Sequence, residues 1–288
     1  MRVANIDGRL VLKAPAGYHD VATASGGRFG PDPQSVFEDW EGFTAWARAS
    51  LAAGEAPGDA SRVEPSADAV WGPPVTRPSQ IFAVGLNYRD HVAESGLENP
   101  REPAVFTKFA TSLTGHGRPV DLPDGLVDWE AELVVVIGRR CHRATRGSAW
   151  SHVAGLTVGQ DLSERRLQLT GPAPQFSLGK SYPGFAPLGP ELVGTDEFTD
   201  LDDLELGCML EDGEVLQKSR TSQMIFDVPE LIARLSAVCP LLPGDLIFTG
   251  TPAGVGGART PQKFLAPGDV LVTWIEGIGT LRNPMQAP

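Results

Sequence analysis

The stretch Trp129-Glu130-Ala131-Glu132-Leu133-Val134-Val135-Val136-Ile137 constrains the fold more than any other part of the chain. Rich in β-branched residues, it reads as a strand. Side chains alternate across a strand, so Leu133, Val135 and Ile137 share one face with Trp129 and Ala131, while Val134 and Val136 share the other with Glu130 and Glu132. A strand apolar on both faces belongs inside a layered structure. Two carboxylates at its buried start then need a compensating cation. The competing reading is a solvated strand end paired with Arg139 or Arg140.

Further strands are expected from Ile81 to Val84, Leu156 to Val158, Leu204 to Leu210, Leu246 to Thr249 and Val270 to Ile275, with Glu211-Asp212-Gly213-Glu214 closing a hairpin onto Val215-Leu216. Helical signals are fewer: Tyr88 to Ser95 closed by Gly96, Leu162 to Leu169 closed by Gly171, and Val228 to Ala237 opened by Asp227 and Pro229. With 33 Gly and 25 Pro as punctuation, the expected class is α+β and β-rich. Residues 1–75 read as a small N-terminal domain with one helix around Val36 to Leu51 and a loop from Gly54 to Asp59; residues 76–288 form the larger unit.

The formal charge of −12 argues against nucleic acid or an anionic membrane surface as partner. It also requires any acidic substrate to be met by local Lys and Arg side chains and a bound cation. No stretch approaches the roughly 18 apolar residues of a membrane span, and the N-terminus has no apolar signal core, which makes a cytoplasmic location the default expectation. Cys141, Cys208 and Cys239 lack any paired spacing and read as reduced, packed thiols.

Asp161 follows the apolar run Leu156-Thr157-Val158 and is expected to open a helix, with Arg165 and Gln168 on the same stripe at i+4 and i+7. Carboxylates at Glu130, Glu132 and Asp161, with no His or Cys close in sequence, suit a hard ion such as Mg²⁺ or Mn²⁺ better than zinc. An exposed helix face with an Asp–Arg pair is the plain alternative. His91 and Glu94 stand at i and i+3, a spacing that lets a carboxylate orient an imidazole for taking a proton from water, or marks an ordinary surface pair. The run from Pro243 to Gly256 is a strand entering a Gly-rich loop, whose N–H groups could face an oxyanion or merely form a tight turn. Gly179-Lys180-Ser181 is not a phosphate loop, since Pro174 stands at the leading glycine position, and no Gly-x-Ser-x-Gly elbow occurs.

Taken in order, Val84-Gly85-Leu86-Asn87-Tyr88-Arg89-Asp90-His91, Asp128-Trp129-Glu130-Ala131-Glu132-Leu133, Leu178-Gly179-Lys180-Ser181, Phe248-Thr249-Gly250-Thr251-Pro252-Ala253-Gly254-Val255-Gly256 and Glu276-Gly277-Ile278-Gly279-Thr280-Leu281-Arg282-Asn283 resemble the fumarylacetoacetate hydrolase family across nearly all of residues 80–288. The resemblance implies a mixed β-roll, usually a homodimer, and an Mg²⁺, Mn²⁺ or Ca²⁺ ion on Glu130, Glu132 and Asp161. It also implies substrate contacts from Arg165, Gln168, Lys180 and Thr251, and a lid helix bearing His91 and Glu94. Gln160 and Trp129 depart from commoner Asn and Tyr without removing a ligand, and the insert from Leu169 to Phe176 is expected to border the substrate tail. The expected activity is hydrolysis of a C–C bond in an acylpyruvate-type 2-oxo acid, with Lys180 and the lid pair in the chemistry and the cation stabilising the enolate. The alternatives are an oxaloacetate-type decarboxylase, a hydratase, isomerase or lyase on the same site, and a non-catalytic, metal-stabilised ligand-binding protein.

Overall fold

The computed structural model describes residues 1–52 and 59–288; of the loop expected over residues 54–59, only Asp59 belongs to them. Its largest feature among those residues is a twelve-stranded mixed sheet. From the N-terminal edge inward the main strands are Gly17–Asp20, Arg9–Ala14, Arg2–Ile6, Ala186–Val193, Val153–Gln160 and Ala131–Ile137; the order continues outward through Leu246–Phe248, Ile81–Gly85 and Ala104–Thr107. Leu246–Phe248 and Ile81–Gly85 run parallel, whereas Ala131–Ile137 is antiparallel to both of its neighbours. A second, five-stranded sheet holds Val215–Arg220, Glu205–Leu210, Val270–Ile275, Gly279–Gln286 and Val120–Asp121. The α+β, β-rich class expected from the sequence is the one observed.

Ala131–Ile137 is buried along its whole length. Val134 and Val136 join the core that includes Phe43, Leu246 and Phe248. Leu133, Val135 and Ile137 join the opposite core, which includes Leu231, Ile232 and Leu235 of the helix Val228–Val238. That helix starts where its cap signals place it: the Asp227 carboxylate accepts from Glu230 N at 2.9 Å, and Pro229 occupies the first turn.

Strands from the first 75 residues are built into the same sheet, because Arg2–Ile6 pairs with Ala186–Val193. Their helix, Trp40–Ala52, shares a core with Val134 and Val136. Trp40 is buried there and stacks on Phe37 with ring centroids 5.1 Å apart. Trp40→Ala should therefore cost about 3–5 kcal/mol and lower the melting temperature of the whole chain in one transition. A separate early transition in calorimetry, with the rest unchanged, would instead show that residues 1–75 melt on their own.

The helix expected from Leu162 to Leu169 is replaced by a short bridge, Ser163–Glu164 against Val127–Asp128, followed by a single turn, Arg165–Gln168. Glu164, not Asp161, caps that turn, accepting from Arg166 N at 3.1 Å and Leu167 N at 2.7 Å. A capping carboxylate so close to the strand end outcompetes an earlier helix start. Among the described residues no helix is long and apolar enough to cross a membrane, and all three cysteines are free thiols.

Candidate metal centre and active site

Strand register explains why distant carboxylates meet. Ala131 stands opposite Gln160 and Glu132 opposite Gly159, and the ladder continues one pair further, with Asp161 N donating to Glu130 O at 2.9 Å. Asp161 therefore faces Glu130 across the sheet while Glu132 lies two residues along on the same face. Ligand atoms of Glu130, Glu132 and Asp161 all lie within 4.8 Å of one another, and all three residues are buried. The expected helical stripe was the wrong geometry for Asp161; the convergence comes from β pairing.

Two buried ammonium groups lie on this cluster. Lys180 Nζ is 2.8 Å from Glu130 Oε2, 2.7 Å from Asp161 Oδ2 and 2.7 Å from Ser163 Oγ. Lys108 Nζ is 2.6 Å from Asp161 Oδ1 and also donates to the Lys180 carbonyl. Arg165 pairs with Asp128 at 2.7 Å and Glu130 at 2.8 Å, and its guanidinium donates to Gln168 Oε1 at 2.9 Å. Neither Arg139 nor Arg140 takes part, and Arg139 pairs with Glu41 instead.

The charges are unevenly shared. Burial pushes Glu130 upward, but Lys180 and Arg165 outweigh it and hold the carboxyl at about 2. Glu132 is driven well above the usual carboxylate range by burial and by the charges of Asp161 and Glu130. It accepts a hydrogen bond from Gly250 N at 2.8 Å, and no ammonium or guanidinium pairs with it among the described residues. Lys108 is held below the usual lysine range by burial and by Lys180, against the pull of Asp161. Three oxygen donors, one of them short of a counter-charge, fit a hard divalent cation held by Glu130, Glu132 and Asp161.

The His91–Glu94 pair is formed. His91 Nδ1 and Glu94 Oε1 are 2.7 Å apart on the helix Arg89–Glu94, whose end is marked by Gly96 at a φ of 68°. A carboxylate can only accept, so Nδ1 carries the proton and Nε2 is left as the acceptor. The other Glu94 oxygen accepts from Gly254 N at 2.9 Å, which ties the helix to the glycine loop.

That loop differs from expectation in what its amides hold. Gly250 N binds Glu132, Gly254 N binds Glu94, and Gly256 N and Gly257 N bind Asp128 at 2.7 and 2.9 Å. The donors are spent on the protein's own carboxylates. Gly250 and Gly254 adopt φ of 99° and 107°, and an added Cβ at Gly250 would meet Asn87 Cβ at 2.7 Å. The Thr251 hydroxyl is likewise engaged, donating to Ala131 O at 3.0 Å and accepting from Gln217 Nε2 at 2.8 Å.

His91, Glu94, Glu130, Arg165, Gln168, Lys180 and Thr251 all border one cavity of about 750 Å³, and Leu169 and Phe176 of the insert border it too. Asp128 and Lys108 had not been singled out. Asp128 orients Arg165, and its position just before the acidic strand was the available signal; Lys108 sits in Phe106-Thr107-Lys108-Phe109, which has no periodic or motif feature. Lys180 lies on the metal-side carboxylates, so we expect Lys180→Met to tighten Mg²⁺ binding by roughly tenfold through loss of a competing positive charge. Unchanged affinity in calorimetry would show that the Lys180 charge does not oppose the cation.

The family model for the fumarylacetoacetate hydrolase C-terminal domain matches residues 80–286. The mitochondrial oxaloacetate tautomerase FAHD2A of Bos taurus is 43% identical over 223 residues, covering 77% of this chain and 71% of its own. A chain of known crystal structure from Mycobacterium smegmatis is 53% identical with a TM-score of 0.91, covering 100% of this chain and 99% of that one. Maleylpyruvate hydrolase from Sphingobium sp. SYK-6, crystallised with manganese(II) and pyruvate, is 27% identical with a TM-score of 0.80, covering 100% and 99%. The chain belongs to the fumarylacetoacetate hydrolase family.

Proposed function

We propose that this protein is a divalent-cation-dependent enzyme that hydrolyses a C–C bond in an acylpyruvate-type 2-oxo acid. The observation that supports this reading best is the placement of the His91–Glu94 pair on the same cavity as Glu130 and Lys180. The cation, Mg²⁺ or Mn²⁺, would be held by Glu130, Glu132 and Asp161 and would supply Lewis-acid polarisation of the 2-oxo group. Arg165 and the Gln168 amide supply donors for the substrate carboxylate. His91 Nε2 takes a proton from water, and the resulting hydroxide attacks the carbonyl of the acyl group. The bond between that carbonyl and the neighbouring CH₂ breaks, its electron pair stays on the CH₂ carbon, and the proton held by His91 completes the methyl group of pyruvate. The other product is the acid of the acyl group. Glu94 holds the imidazolium during the step.

A second reading is favoured by the relatives named oxaloacetate tautomerase at 43% identity. There the same His91 would move a proton between C3 and the 2-oxygen with no C–C bond broken. Acylpyruvates and oxaloacetate incubated with Mg²⁺ in D₂O, followed by NMR and mass spectrometry, separate the two. Two released acids support hydrolysis. Faster deuterium entry at C3 than in buffer, without cleavage, supports tautomerisation. Neither signal, with tight substrate binding, would leave a binding protein.

A further inference from the structure

We propose that the cavity is built for a 2-oxo acid whose far end is a bulky apolar group, such as an aryl or medium-length alkyl tail, in preference to a second carboxylate. This assignment of substrate class rests on the 2-oxo acid reading above. A cavity of about 750 Å³ lies in the range of pockets that take drug-sized ligands, well beyond what the three-carbon head of a 2-oxo acid fills.

The excess space is apolar. Leu97, Phe106, Leu169, Phe176, Val255 and Phe264 line it, drawn from the segment after the helix Arg89–Glu94, the edge strand, the insert, the glycine loop and the chain that follows it. Phe106 and Phe176 meet edge to face with centroids 5.6 Å apart, and Lys180 Nζ is 5.1 Å from the Phe106 centroid. The aromatic wall therefore begins where the charged head site ends. Leu97 and Leu169 remain 54% and 60% exposed, apolar surface that a ligand can cover.

The cations of the cavity do not offer a second acid site. Lys180 is paired with Glu130 and Asp161, Arg165 pairs with Asp128 and Glu130 and serves the head carboxylate, and Arg166 borders the cavity as an exposed, hydrated guanidinium that holds a carboxylate only weakly. A carboxylate at the far end would be desolvated against phenylalanine rings with no buried partner.

The test uses purified protein with Mg²⁺ and a set of 2,4-dioxo acids that share one head and differ only in a methyl, pentyl, phenyl or carboxylate-bearing tail. At about fourfold per buried methylene, the pentyl compound should exceed the methyl compound in kcat/KM by about 10²-fold, and the phenyl compound should do likewise. Phe176→Ala should cut the phenyl-to-methyl ratio about tenfold, and Leu169→Asp, at an exposed position, should do the same without disturbing the core. A flat series, or preference for the carboxylate tail, overturns the inference. If no compound is cleaved, the hydrolysis reading fails by itself, and calorimetric affinities of saturated 2-oxo acids with the same tails decide the inference. Affinity rising with tail size supports it, and equal affinities overturn it whatever the reaction.

Discussion

Glu132→Gln should lower turnover by about 10²–10³-fold or more while making the metal-free protein more stable at pH 8. The two effects have opposite signs because the carboxylate is costly until a cation arrives. Burial and the charges of Asp161 and Glu130 raise the Glu132 pKa, so the folded chain binds a proton there that the unfolded chain releases. Stability from this group is fully present below the ordinary carboxylate pKa and is lost as pH rises through the raised value. Glu130 works the other way: held at about 2, it contributes stability above the ordinary carboxylate range that is lost as pH falls toward 2. Metal-free protein should therefore melt lower at pH 8 than near pH 5, and Mg²⁺ should raise the pH 8 value most. A glutamine keeps an oxygen for Gly250 N, removes the charge and abolishes the Mg²⁺ response. Melting curves of both proteins with chelator and with Mg²⁺ check this. A mutant that still gains stability from Mg²⁺ like the wild type would remove Glu132 from the metal site.

His91→Ala should lower acylpyruvate hydrolysis by about 10²–10⁴-fold, the usual contribution of a positioned general base. Glu94→Gln should lose less in rate. Its carbonyl can still accept from the imidazole, but the neutral amide no longer stabilises the imidazolium that forms during the step. Imidazole added to His91→Ala should restore part of the rate. If oxaloacetate enolisation falls with hydrolysis, His91 handles the C–H proton as well as water. If hydrolysis is untouched in both variants, the lid pair has no part in the chemistry.

Much of the site was legible because local alternation encodes it. Glu130 and Glu132 share a face with Val134 and Val136 in the fold as the pattern required. Asp161 was found for the wrong local reason, since the cap of Glu164 at the end of a strand ladder cannot be told from a helix start by periodicity alone. Lys108 and the pairing of Arg2–Ile6 with Ala186–Val193 were not legible. A single lysine between aromatic residues has no period, and contacts nearly two hundred residues apart leave no mark in a local window. The amides of the glycine loop were visible as donors, but which acceptors they meet depends on where the lid and the acidic strand come to rest.

The same loop holds Glu132 of the acidic cluster, Glu94 of the His91 pair and Asp128 behind Arg165. Those three groups share one mechanical ground, so a one-residue insertion between Gly250 and Gly257 would dephase ion, base and anchor together, and no second substitution could repair all of them. The segment from Leu169 to Phe176 borders the cavity without bracing any of the three. Substitutions at Leu169 or Phe176 would therefore reshape the cavity and leave the three loop-held carboxylates in place, whereas a change in the loop would reach several of them at once.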